Sequence, residues 1–395
     1  MKNTALQSST DSITHQQKFK VPDTPTARLA YDTIMLKPTD GIPTRGMNIM
    51  EHSVLERLAG VELGTYVNKP ESTYHAAQIA MGTCCEDQWI PRNPLTMGSQ
   101  GYDSTTAHGS TTGASDIVLD GIKIDSPEAV AEHLERYIFP RMMADIQSFD
   151  EETYRRKAID YEINTQNEIG PQILKAPYSV WHFPGFRYGK YGYEGYFTAF
   201  ALFPELMEKD FSLQADLAVI KNRVIRKAYE TAGLPPYARL DHDMADSRGT
   251  LVRIKMLDKL WLPHFVRSLE PARGSGVRMI WHCDGNLMQM VPRLLDAGLS
   301  GFQGFQYEDG MDYIAICKMK TRDGDPLLIQ AGVSVTTTLP FGSPDDVKKQ
   351  LDWLVENGPK HGLFLGASSS VAPGTPWKNI ETLIDGLRYY RERPQ

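Results

Sequence analysis

The sequence predicts a closed (β/α)8 barrel of the TIM type. Short apolar strands alternate with amphipathic helices through the C-terminal half, and each helix must carry the chain back before the next strand begins, which implies a parallel sheet. Adding earlier strand candidates brings the count to about eight, the number that closes such a barrel. The 395 residues suffice for one large core. An open doubly wound sheet is the alternative topology. The expected division is a loose arm over residues 1–22 and one barrel domain over 23–395.

The arm opens MKNTALQSSTDSITHQQ and has too little aliphatic content to offset the entropy of ordering it. Strand candidates follow at RGMNIM (45–50), QWIPRN (88–93), APYSVWHFPGF (176–186) and YARLDHDMAD (237–246). Between them, residues 96–116 are rich in Gly, Ser and Thr and read as a long loop, either a mobile insertion or a lid over a site. Helices are expected over 194–203, 213–233 and within 250–272 from their apolar spacing.

The C-terminal half is the most regular. Strands are expected at VRMIWHCDG (277–285), SGFQGFQ (300–306), PLLIQAGV (326–333) and GLFLGAS (362–368). Helices are expected at LMQMVPRLLDAG (287–298) and GMDYIAICKMK (310–320). SPDDVKKQLDWLVENG (343–358) carries a serine cap, a proline at the first helical position and two early acids, all of which satisfy or complement a helix N-terminus. TPWKNIETLIDGLRYYRER (375–393) repeats the pattern with Thr and Pro.

A formal charge of -7 and a pI near 5.8 argue against a nucleic-acid or anionic-membrane surface. No apolar run is long enough to span a bilayer and the N-terminus is polar, so the expected compartment is the cytoplasm. The four cysteines are too few for a disulfide framework. Cys84 and Cys85 read as structural, and Cys283 as a buried small residue turned away from its neighbours.

In a parallel barrel the strand C-termini form the active-site face. Candidate groups there are Asp241, His242 and Asp243, then His282 and Asp284, then Gln303, Gln306 and Glu308, then Ser334, and last Ser368, Ser369 and Ser370. His282 and Asp284 lie two apart and so share a side. With Asp241 and Asp243 they could hold a divalent metal or act as a general acid–base pair. The metal set considered is His282, Asp284 and Glu308. Arg45, Arg92 and Arg248 could clamp an anionic substrate, with His242, Gln306, Ser334 and Ser368 as further substrate contacts. The aromatic run over 175–197 could line a pocket for a flat ligand or pack between barrel and helices.

The segments MIWHCDGNLMQMVPRLLDAGLSGFQGFQ, AGVSVTTTLPFGSPDDVKKQL and LFLGASSSVAPGTPWKNIETLI resemble the uroporphyrinogen decarboxylase superfamily, which includes cobamide-dependent methyltransferases. The resemblance covers residues 237–391 closely and 26–211 loosely. It implies a TIM-type barrel and, for the methyltransferase branch, zinc held through a His-x-Cys motif and a later Cys. His282 matches that histidine, Asp284 stands at the first cysteine position and Ser334 near the second. An oxygen-and-nitrogen site for zinc or another divalent ion, or a metal-free site, is therefore open. The decarboxylase branch's carboxylate-gripping arginines have only Arg45 as a counterpart, and its Leu-Gly-His-Gly histidine is replaced within LGASSS.

Three functions follow. The first is a methyltransferase or O-demethylase acting on a small, aromatic or methylated substrate with a corrinoid partner protein. The second is a decarboxylase or lyase working without a cofactor, and the third a non-catalytic ligand-binding barrel. A homodimer is compatible with each.

Overall fold

The computed structural model describes residues 18–97 and 117–393. Residues 1–17 of the expected arm and 98–116 of the expected loop lie outside the described residues. The arm's described end is packed: Phe19 is buried and its N–H donates to the Ala232 carbonyl at 2.8 Å. The barrel contacts thus begin before residue 23.

The strands that matter here are β1 (Cys85–Glu86), β2 (Leu174–Lys175), β3 (Tyr237–Asp241), β4 (Arg278–His282), β5 (Gly301–Gln303), β6 (Leu328–Val333) and β7 (Leu363–Ala367). The last five form one parallel sheet in the order β7-β6-β5-β4-β3, and β1 pairs in parallel with β2. Isolated parallel bridges connect the rest. Tyr178 pairs with Arg239, Arg45 with Cys85 and Thr44 with Leu365. The two sheet edges are therefore linked through the 44–45, 85–86 and 174–178 segments into one hydrogen-bonded circuit of eight parallel segments, the arrangement expected from sequence.

The strand interiors are buried throughout in β6 and β7, as a parallel strand covered on both faces requires. Register then aligns the ends: Asp241 lies opposite His282, and His282 opposite Gln303.

Three early strands are displaced from the sequence expectation. Residues 88–93 contain no strand; the second barrel segment is Cys85–Glu86 instead. Cys84 and Cys85 are both buried there, whereas 88–93 runs on past the strand end. In 176–186 the ladder contact stops at Tyr178, and Trp181 and Phe186 pack as core. The pairing in 45–50 is confined to Arg45 and Ile49.

The long helix α1 (Pro204–Ala232) merges with the expected 213–233 helix, starting earlier at Pro204. The helix expected from 287 begins only at Val291, and that expected from 310 at Tyr313, where Asp312 caps Ala315 at 2.9 Å. Residues 249–250 pair with 245–246 as a hairpin, so helix starts at Ile254. Helix α2 (Pro344–Asn357) shows the anticipated Ser343 cap, closed reciprocally by Asp346. Helix α3 (Trp377–Glu392) lacks the anticipated Thr cap; Thr375 donates instead to the Ala372 carbonyl at 2.8 Å.

Ser343→Ala removes an N-cap whose hydroxyl and backbone both bond Asp346. The expected loss is about 1 kcal/mol in urea unfolding, with an unchanged circular-dichroism spectrum.

Candidate functional site

The strand register brings three ligand-type side chains together. One oxygen each from Asp241 and Asp243 and a ring nitrogen of His282 lie within 4.8 Å of one another. His282 Nε2 is 4.0 Å from Asp241 Oδ1. Asp243 Oδ1 accepts the Asp284 backbone N–H at 3.1 Å, which ties the ends of the β3 and β4 strands. Asp284 lies beside the group rather than in it: Ser369 Oγ donates to its Oδ2 at 3.3 Å, and its Oδ1 is buried without a partner.

Close approach positions the imidazole. Gly304 has φ +86°, and a Cβ there would lie 2.6 Å from His282 Nδ1. Only glycine gives both that backbone and that clearance.

A cavity of about 80 Å³ opens beside this group. Its lining includes Asp241, His282, Gln303 and Ser369 together with Arg45, Glu86, Asp87 and Arg239. Arg239 Nη1 donates to Gln303 Oε1 at 3.2 Å, its Nη2 to Gln88 Oε1 at 2.9 Å, and its Nε lies 3.5 Å from Asp87 Oδ2. Tyr237 donates to Asp87 at 2.6 Å and Tyr178 to Asp241 at 2.9 Å. Gly46 leaves room for Glu86, since a Cβ there would fall 1.9 Å from Glu86 Oε2.

Burial dominates the electrostatics. It lowers His282 to about 4, assisted by the Arg239 charge and opposed by Asp243, so the ring is neutral at pH 7. It raises Asp284 to about 6, with Asp243 repulsion adding to the shift. It raises Glu86 to about 8, again with a neighbouring acid, Asp87, in the same direction. Asp241 is raised by burial against the opposing pull of Arg239 and the Tyr178 bond.

Several expected contacts are elsewhere. His242 points away from the cavity into Phe183, Phe186 and Tyr188, and its Nε2 accepts the Phe186 N–H at 3.0 Å. Strand alternation turns it outward while Asp241 faces in. Arg92 pairs with Glu71 at 2.5 Å on the surface, and Arg248 with Asp246 at 2.7 Å, also exposed; neither lines the cavity. Glu308 accepts from Ser334 Oγ at 2.9 Å and is absent from the ligand cluster, so the expected metal set of His282, Asp284 and Glu308 is not the one that converges. Ser368 Oγ accepts the Val335 N–H at 3.1 Å, and Gln306 Oε1 accepts the Gly285 N–H at 2.7 Å. These groups brace loops. The aromatic run supplies core, with Trp181, Tyr191, Tyr196 and Phe200 buried.

Sequence reasoning missed Glu86, Asp87 and Arg239. A charged residue within the otherwise apolar YARLD was the available signal for Arg239, and an acid pair straight after two cysteines for the others.

Comparison with known proteins adds to this geometry. Residues 243–390 match the family model described as uroporphyrinogen decarboxylase (URO-D). The matched stretch of the chain, a little over a third of its length, is thus similar to that family, and it coincides with the C-terminal strands and helices that carry the resemblance in sequence. Among solved structures, a methyltransferase from Methanosarcina mazei matches at a TM-score of 0.56 and 14% identity, over 93% of this chain and 99% of that one. That likeness is one of fold. A protein described as a vitamin-B12 independent methionine synthase from Listeria monocytogenes has a TM-score of 0.34 at 14% identity, over 59% of this chain and 66% of that one, too distant to bear on the argument. No curated protein sequence matches the chain. Among the described residues no helix is long and apolar enough to cross a membrane. In this chain the convergent donors are oxygen and nitrogen; Cys283 is buried, its thiol directed to the Asp284 carbonyl at 3.0 Å.

Glu86 gives a stability test. Its unfolded carboxyl ionises near the usual 4.5 and its folded one near 8, so between those pH values the folded state holds the extra proton and stability falls as pH rises. Glu86→Gln removes that slope. The variant is expected to match the parent near pH 4 and to exceed it by a few kcal/mol, roughly, at pH 8 in chemical denaturation.

Proposed function

We propose that the chain is a methyltransferase that demethylates a small substrate and passes the methyl group to a corrinoid carried by a partner protein, with a divalent metal held by Asp241, Asp243 and His282. The observation that carries this reading is the convergence of those three donors beside a cavity at the strand C-termini. Two carboxylates and an imidazole suit zinc, manganese or iron in place of the thiolate set implied by the superfamily resemblance. When bound, such an ion supplies Lewis-acid polarisation of the substrate heteroatom.

The chain's own groups then have distinct tasks. His282 is unprotonated at neutral pH, so its lone pair is available. Asp243 holds the β4 end through the Asp284 backbone, and Tyr178 orients Asp241. When the bond from heteroatom to methyl carbon breaks, its electron pair stays on the heteroatom, which takes a proton, while the acceptor supplies the pair for the new bond to carbon. Asp284 is the proton source, kept protonated to about pH 6 by burial and by Asp243.

A carboxy-lyase is the second reading, favoured by the two arginines, Arg45 and Arg239, that line the cavity. A cavity of about 80 Å³ suits a small carboxylate and not a tetrapyrrole.

Calorimetric titration with zinc and manganese tests the metal. Wild-type protein is expected to bind one ion, and His282→Ala or Asp243→Asn to weaken it by about 10-fold or more with melting temperature preserved. Absence of binding, or equal binding by the variants, overturns the metal assignment. Turnover is read by incubating methylated small substrates with cob(I)alamin while monitoring carbon dioxide: methylated product supports methyl transfer, and carbon dioxide without it supports the lyase.

A further inference from the structure

A chain of hydrogen bonds with a fixed direction runs from the barrel interior to the Asp241 carboxylate. It begins at Arg239, which is buried and whose guanidinium carries donors only. Its Nη2 donates to Gln88 Oε1 at 2.9 Å, and its Nη1 to Gln303 Oε1 at 3.2 Å. An amide facing such a cation must present its oxygen, so the NH2 group of Gln88 is turned the other way. There its Nε2 donates to Tyr178 Oη at 3.0 Å.

A phenol oxygen that accepts on one side has its own hydrogen to give on the other. Tyr178 gives it to Asp241 Oδ2 at 2.9 Å. The Arg239 guanidinium lies 4.8 Å from the Tyr178 ring centroid, and its Nη2 is 3.9 Å from the same Oδ2. That oxygen therefore receives both the hydrogen bond and the nearby positive charge. Asp241 Oδ1 takes no hydrogen bond among the described residues and lies 4.0 Å from His282 Nε2. The backbone holds the participants in place: Tyr178 pairs with Arg239 as a parallel bridge, the Ser179 N–H donates to the Arg239 carbonyl at 2.9 Å, and the Gln88 N–H donates to Glu86 Oε1 at 3.2 Å. Ser179 adopts φ +49°, an uncommon left-handed backbone for a residue other than glycine, just where the chain leaves that bridge.

We infer that Gln88 is a positioning residue for Asp241: oriented by Arg239, it turns the Tyr178 hydroxyl onto Oδ2 and leaves Oδ1 as the one carboxylate oxygen free to take a ligand beside His282. The use of that oxygen rests on the proposed metal reading, whereas the direction of the chain is set without any ion. Among the described residues Gln88 makes no hydrogen bond to Asp241, Asp243 or His282, so its effect passes through Tyr178.

Ultraviolet resonance Raman spectra of the full chain without added metal test the direction. The intensity ratio of the tyrosine Fermi doublet rises when a phenol oxygen accepts a hydrogen bond and falls when it only donates. Subtracting from each protein the spectrum of its Tyr178→Phe counterpart isolates Tyr178. Gln88→Met is expected to lower the ratio, and so is Gln88→Glu, which keeps an acceptor for Arg239 and loses the donor to Tyr178. An unchanged ratio in either variant overturns the inference. Calorimetric titration with zinc reads the consequence. Gln88→Met and Tyr178→Phe are each expected to weaken binding about tenfold with melting temperature preserved. The double variant is expected to bind no more weakly than the weaker single one, because both break the same chain. Additive losses, or a Gln88→Met affinity equal to the parent's, overturn the positioning role. A parent that binds no zinc removes the proposed metal instead, and the Raman ratio then decides the inference alone.

Discussion

Arg239 is the interaction on which the cavity depends. Its guanidinium sits inside the ring of strands and reaches Asp87 and Gln88 beyond β1, Gln303 on β5 and the Tyr178 ring beyond β2, whose centroid is 4.8 Å away. Burying such a charge without partners costs several kcal/mol, so the surrounding acids and amides are requirements of the fold as much as of the chemistry. Tyr237 completes the arrangement by donating to Asp87 and accepting from Gln330. One interior cation thereby couples strands far apart in sequence.

That coupling gathers chemically unlike groups around one cavity. The Asp241, Asp243 and His282 donors converge beside it, and Arg45 and Arg239 line it together with Glu86, a carboxyl that burial keeps neutral. These groups lie largely out of water, so each one's protonation is set by burial and by its immediate neighbours. The same exclusion lowers His282 and raises Asp284 within two residues of one another. A site with a neutral imidazole beside a carboxyl held above the usual carboxylate range is equipped to move a proton near neutral pH.

Much of this was legible in order of residues. The C-terminal strands and the capped helix after Ser343 follow from apolar periodicity and local hydrogen bonding, which act over a few residues and leave a clear pattern. His282 and Asp241 could be placed at strand ends by the same reasoning. Glu86 and Asp87 could not, because β1 pairs over only two residues and leaves no periodicity to read. Arg92 and Arg248 fall near predicted strand ends in the sequence, but the acids Glu71 and Asp246 take them instead.

The chain's linear pattern was enough for the parallel βα repeat, the strand-end histidine and the absence of a thiolate at position 284. Which donors meet was settled in three dimensions: register placed Asp241 against His282, while Glu308 turned to Ser334 and His242 to the outer aromatic layer. The reason is that short-range forces specify elements, whereas convergence at the barrel mouth depends on strand stagger and on the desolvation of charges from segments as far apart as Arg45 and Arg239.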